Sequence, residues 1–209
     1  MRLLSILAFV VFFGCGVFGQ EPGSANKPKP PEPASQGQTD GNASAPAVSP
    51  AQRYFSDVEL IDQDGRKLRF YSDVLKNKIV AINAFFTTCT NICPPMNRNF
   101  EKMQEALGDR LGKDVFLVSI TVDPETDTPE RLKEYSRRFH ARPGWLFLTG
   151  KKENVDWALY KLGQYVETKD DHTNIFIIGN EPRGLWKKAF GLAKAEELIK
   201  ILDDVINDR

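Results

Sequence analysis

Cysteine is scarce in this chain. Three of its 209 residues are cysteine, and Cys15 lies in an apolar leader, so the folded part is left with Cys89 and Cys93. One pair cannot staple a domain of this size, which excludes a disulfide scaffold. Net charge is missing too, because 28 Lys and Arg balance 28 Asp and Glu. A nucleic-acid binder would show a basic face, whereas here the two signs are interspersed as on an ordinary solvated surface. Histidine occurs only at His140 and His172, and no apolar run reaches the roughly 20 residues of a membrane-spanning helix.

What is present begins with residues 1–19. Arg2 precedes an apolar run from Leu3 to Phe18, the pattern of an export signal. Three fates are open to it: cleavage after Val17-Phe18-Gly19, lipidation of Cys15 behind Gly14, or retention as an anchor. Each puts the rest of the chain outside the cytoplasm, in the periplasm or on the outer face of the cytoplasmic membrane, with the N-terminus as the point of membrane association. Residues 20–50 hold seven of the thirteen prolines and no aromatic residue. They bury too little to offset the entropy of ordering, so a disordered tether is expected. The remaining residues, 51–209, are of ordinary size for one domain.

Within that domain the apolar pattern alternates between strand and helix. Val58-Glu59-Leu60-Ile61-Asp62 and Lys67-Leu68-Arg69-Phe70 flank Gln63-Asp64-Gly65, a hairpin signal. Residues 79–86 are apolar on both faces, as a central parallel strand requires, and Met96, Phe100, Met103 and Leu107 then recur at helical spacing. Residues 115–122 form a second buried strand. After it, Thr128, Pro129 and Glu130 read as the cap and first turn of a helix whose buried stripe is Leu132, Tyr135 and Phe139. Further strands are expected at 145–148, 175–178 and 185–190, with helices at 153–162 and 195–207. Strands alternating with helices specify a three-layer α/β domain with an additional N-terminal β-hairpin. Ligands of open α/β sheets collect at the carboxyl ends of strands, which places the Cys89 turn and the Asp123 loop on one edge.

Cys89-Thr90-Asn91-Ile92-Cys93-Pro94 follows the first buried strand directly. If Cys89 begins the helix, Cys93 lies one turn later on the same face, and the helix N-terminus lowers the thiol pKa values. Such a pair suits thiol exchange, or ligation of a soft ion such as Cu(I); an added imidazole would hold Cu(II) or Zn(II). His172 sits in the polar loop before the strand at 175. Taken alone, a loop histidine is more often a surface residue or a hydrogen-bonding partner than a ligand. His140 closes an amphipathic helix, where a cation complements the dipole. Met96 is a weak fourth ligand or, as part of an apolar stripe, core.

Three segments together resemble a known family. Thr87-Thr88-Cys89-Thr90-Asn91-Ile92-Cys93-Pro94, then residues 119–130 with Asp123, Pro124, Asp127 and Thr128, then Asp171-His172-Thr173 are similar, in order and separation, to the signatures of the Sco/SenC copper-binding proteins. The resemblance implies a thioredoxin-like fold and copper, as Cu(I) or Cu(II), held by Cys89, Cys93 and His172. It also implies delivery of copper to the dinuclear site of cytochrome c oxidase subunit II, with an upstream copper donor or thiol reductant as a second partner. The alternative is a thiol-disulfide reductase, an enzyme in the loose sense, with Cys89 and Cys93 as its redox-active pair. Thioredoxins themselves carry one residue fewer between their cysteines and a cis-proline where this chain has Asp170 to Asn174. The interior Thr90-Asn91-Ile92 and the turn Gly179-Asn180-Glu181-Pro182-Arg183-Gly184 depart from the family pattern.

Overall fold

The computed structural model describes residues 27–31 and 48–208; the leader, Cys15 and most of the tether lie outside them. The domain opens with α1 (Pro50–Phe55), which the sequence pattern does not announce because six residues are too few to show a period. Local chemistry still specifies it: Ser49 Oγ accepts from Gln52 N at 3.1 Å, and Pro50 takes the first helical position. Next comes the hairpin of β1 (Glu59–Asp62) and β2 (Lys67–Arg69), antiparallel with Leu60 opposite Leu68. Asp62 Oδ1 accepts from Asp64 N and Arg66 N, both at 2.9 Å, and so closes the turn. Phe70 to Leu75 then winds as a single π-helical stretch instead of prolonging the strand through Phe70.

The remaining elements follow the expected order: β3 (Ile79–Phe85), α2 (Cys93–Leu107), β4 (Val115–Thr121), α3 (Pro129–Arg137), β5 (Trp145–Thr149), α4 (Lys152–Lys161), β6 (Ile175–Asn180), β7 (Leu185–Phe190) and α5 (Ala195–Ile206). They build one seven-stranded sheet of order β2-β1-β5-β4-β3-β6-β7. The β3, β4 and β5 strands are parallel neighbours, and the hairpin β6-β7 adds antiparallel to β3.

Strand alternation sorts the core into two layers. From β3, Ala81 and Phe85 enter one cluster with Met96, Phe100 and Met103 of α2, Leu132 and Tyr135 of α3, and Leu198 and Leu202 of α5. From the same strand, Val80, Ile82 and Ala84 enter the other, with Phe55, Phe70, Val74 and the α4 residues Val155, Trp157 and Leu159. Each fully buried large apolar side chain stabilises the fold by roughly 1.5–3 kcal/mol. Helices on both faces of a mixed sheet, with the β1-β2 hairpin at its edge, make this a thioredoxin-like α/β/α domain. At Gly179 in β6 an added Cβ would lie 2.3 Å from the Trp186 ring, so glycine is what lets that ring lie on the strand. Among the described residues no helix is long and apolar enough to cross a membrane.

Candidate metal centre

The β3 strand ends at Phe85, and the chain turns through residues 86–92 before α2 begins at Cys93. Cys89 is therefore in the turn and not in the helix, contrary to the expectation that it opens the helix. Proline explains the delay: Pro94 and Pro95 fit only a first turn, where their missing N–H groups are not needed, so the helix cannot begin a full turn earlier at Cys89. Ile92 precedes the helix without a side-chain cap. Cys89 Sγ does that work, accepting from Cys93 N at 3.3 Å, so the turn folds the first thiol back over the helix start.

His172 arrives from the other side of the sheet. Lys169–Asp171 form a single 3-10 turn just before β6, and His172 Nδ1 lies 2.8 Å from Lys169 O. A carbonyl only accepts, so Nδ1 carries the proton and Nε2 presents a lone pair. That lone pair faces Cys93 Sγ at 3.3 Å. The Phe86 ring meets the imidazole edge to face at a centroid distance of 5.2 Å and fixes its plane. Cys89, Cys93 and His172 thus bring three donor atoms within 4.8 Å of one another.

Burial sets the electrostatics. Cys93 is fully buried and His172 is 7% exposed, whereas Cys89 is half-buried. Desolvation, followed by the hydrogen bond with Cys89, pushes the Cys93 thiol far up from its ordinary value, the reverse of the lowering expected from a helix N-terminus. The dipole is outweighed because the sulfur lies inside the core cluster, away from water. Burial also lowers the His172 pKa, against an opposing contribution from Lys169 O, and favours the neutral imidazole. Both thiols are free.

The flanking residues divide by role. Asp123 pairs with Lys169 Nζ at 2.8 Å, and the same ammonium lies 5.3 Å from the Phe86 centroid; this ties the β4-α3 loop to the histidine turn. Asp127, fully buried, accepts from Thr87 N at 3.0 Å, from Thr121 Oγ1 at 2.5 Å and from Thr87 Oγ1. Its part is to hold the Cys89 turn against β4. Met96 is entirely buried in the core. His140 is far from all this, exposed and 2.6 Å from Glu101 Oε1 through Nδ1. Phe86 and Lys169 escaped the sequence reading because one looked like strand core and the other like a loop charge. Beneath the site, Asn83 donates to Asn97 and Asn97 to the Tyr135 hydroxyl, at 2.9 and 3.0 Å.

The SCO1/SenC family model matches residues 46–207. The chain belongs to that family. A SCO2-like protein of Rickettsia conorii is 40% identical over 124 residues, which cover 58% of each chain; the match therefore spans under two thirds of that relative's length. The structure of yeast Sco1 with copper bound superposes with a TM-score of 0.59 at 26% identity, covering 73% of this chain and 92% of that one. BsSco, described as a member of the Sco family of cytochrome c oxidase assembly proteins and as having a disulfide switch, superposes at 0.60 with 25% identity, over 72% and 92% of the two chains.

Proposed function

We propose that this chain is an exported copper metallochaperone in which Cys89, Cys93 and His172 hold copper as cargo, for delivery to the dinuclear copper site of cytochrome c oxidase subunit II. The observation that carries the reading is the release of the His172 Nε2 lone pair toward two thiols, by the bond between Nδ1 and Lys169 O. Donors sharing one ion at about 2.1–2.3 Å lie no more than roughly 4.5 Å apart. The 4.8 Å bound on the three atoms here is within a few tenths of that. Two thiolates and an imidazole form a soft set that takes Cu(I) and also suits Cu(II).

The exposures order the hand-over. Cys93 is fully buried, whereas Cys89, half-buried, and His172, 7% exposed, both line a cavity of about 410 Å³ with Phe86, Thr88, Thr90, Asn91, Ile92 and Asp170. A partner's thiol or imidazole reaches the ion through that cavity, where Cys89 is the more exposed of the two lining ligands, so Cys89 is the ligand exchanged first. Copper binding is what deprotonates Cys93, since coordination removes the thiol proton that burial otherwise retains. The same burial weighs against the reductase reading: a thiol held so far up is a slow resolving group at neutral pH. Export, with anchoring by a retained leader or a lipid on Cys15, rests on the composition of residues 1–19.

Copper titration of the reduced protein, followed by absorbance and electron paramagnetic resonance, tests the reading. One copper per chain is expected, with the Cu(II) signal abolished in His172→Ala and no stable complex in Cys89→Ser or Cys93→Ser. Unchanged spectra in His172→Ala would remove the three-ligand site. Absence of copper from the wild type, with rapid reduction of a model disulfide, would transfer the case to the reductase.

A further inference from the structure

Residues 27–31, Lys-Pro-Lys-Pro-Pro, lie on the domain surface. Pro28 is buried. Lys27 Nζ stands 5.8 Å from the centroid of the Trp157 ring and 5.7 Å from that of Tyr160. It is also close enough to Lys161 to add its charge to the burial that lowers that ammonium's pKa. Composition pointed to a free tether, because it reports that a segment has no core of its own and is silent on the surface it meets.

The surface matches the segment. Trp157 and Tyr160, three apart on α4 and so on one face, stack with centroids 5.6 Å apart at 26°. Lys161 Nζ lies over Trp157 at 4.6 Å and over Tyr54 at 4.7 Å, and the Tyr54 hydroxyl donates to Lys161 O at 3.1 Å. Beyond Lys161 a groove of about 450 Å³ continues past Tyr54, Phe55, Leu162 and Trp186. Each proline fixes its own φ and holds the residue before it extended. Lys-Pro-Lys-Pro-Pro is therefore set in a polyproline II conformation before it docks and has little freedom left to lose. Flat aromatic platforms are the surfaces on which such segments bind, and a lysine over two rings adds a cation–π contact.

We propose that the Trp157-Tyr160 face of α4 is a docking surface for a proline-rich segment in polyproline II form, and that its occupant is Lys27-Pro28-Lys29-Pro30-Pro31 of the same chain. Docking there changes the reach of the domain. From Gly19 to Lys27 the chain spans at most roughly 25 Å at about 3.1 Å per residue, against roughly 95 Å for residues 20–50. Where the leader is retained or Cys15 is lipidated, the clasp holds the domain close to that anchor. The clasp involves none of Cys89, Cys93 and His172.

Nuclear magnetic resonance of the full exported chain tests it. The Lys29 amide should have an order parameter near about 0.85, while a free segment falls below about 0.6. Cross-peaks should join the Lys27 side chain to the Trp157 and Tyr160 rings. Both signatures should vanish in the tether variant Pro28→Ser/Pro30→Ser/Pro31→Ser and in the surface variant Tyr160→Ala, with copper binding unchanged in each. A mobile Lys29 without those cross-peaks in the wild type would overturn the proposal, as would an ordered Lys29 that persists in both variants. Cross-peaks found only between labelled and unlabelled chains of a mixed sample would assign the surface to a second copy and overturn the intrachain clasp.

Discussion

Two buried polar clusters lie side by side at the carboxyl edge of β3 and β4, and their internal bonding is opposite. Asp127 accepts from Thr87 N, Thr87 Oγ1 and Thr121 Oγ1, all donors of its own chain. Cys89, Cys93 and His172 have little beyond each other: Cys93 N to Cys89 Sγ and Cys93 Sγ to His172 Nε2, both at 3.3 Å. Sulfur is a weak partner, so these contacts hold the groups in place without saturating them. A saturated cluster is architecture. One left open, with its imidazole tautomer fixed from behind, is available to an ion. The difference shows why buried carboxylates next to a metal centre need not be ligands.

The largest expected effect falls on the open cluster. Groups that merely orient a ligand change metal affinity by about 10–100-fold, so removing a ligand in Cys93→Ser or His172→Ala should cost more than about 100-fold in copper affinity. Cys93→Ser puts a hydroxyl in place of a core thiol, within reach of His172 Nε2, so unfolding in urea should shift by about 1 kcal/mol. Equal copper affinity in wild type and His172→Ala would erase the contrast.

Asp127→Ala should produce the reverse. Loss of the carboxylate leaves Thr87 N and the Thr121 hydroxyl without their acceptor, at about 1–3 kcal/mol for each group left buried and unpaired. A destabilisation of about 2–4 kcal/mol is expected from the urea midpoint, with copper affinity of the folded protein lowered by less than about tenfold. A copper loss as deep as that of His172→Ala would make Asp127 part of the centre.

Lys169 tests the join between the two regions. Its carbonyl orients His172 while its ammonium binds Asp123 and covers Phe86. Lys169→Ala keeps the carbonyl and removes the ammonium, so copper affinity should fall by roughly three- to tenfold. Stability should change by less than about 1 kcal/mol, since the Lys169 side chain is 41% exposed and solvent screens its side of the pair, although Asp123 is only 13% exposed. No change in copper dissociation rate would show that the backbone alone holds the turn.

Much of this contrast was legible in the chain, and the remainder was hidden for definite reasons. Thr128-Pro129-Glu130 announces α3 through cap chemistry, and Thr128 Oγ1 does accept from Arg131 N. The doubly apolar run of β3 announces a central strand because both of its faces are covered. The helix start was misplaced by four residues, since spacing puts Cys89 and Cys93 on one helical face while Pro94 and Pro95 shift the start to Cys93. The raised Cys93 pKa was illegible, because a motif shows the helix end and not the depth of the sulfur below the surface. The role of Asp127 was not legible either, because its partners Thr87 and Thr121 lie on other elements, which the pairing of β3 with β4 brings together.

Asp73 is the exposed counterpart of Asp127, and it isolates burial from hydrogen-bond count. It too is saturated: Oδ2 accepts from Arg69 N at 2.8 Å and Nε at 3.0 Å, and Oδ1 from Nη2 at 2.9 Å. The side-chain bonds to Arg69 hold its pKa at about 2, below the ordinary 3.8. Its folded form therefore binds fewer protons than the unfolded chain between those values, and stability must rise with pH across that window. The contribution is complete above about pH 5 and disappears as pH falls through about 2. Its side chain is 32% exposed and that of Arg69 63%, so solvent screening keeps the amount below about 1 kcal/mol. Denaturation of wild type and Asp73→Asn should thus differ by a small constant from pH 5 to 8, and converge near pH 2. If the difference at pH 7 matched that of Asp127→Ala, the number of bonds and not their burial would be what distinguishes architecture from surface.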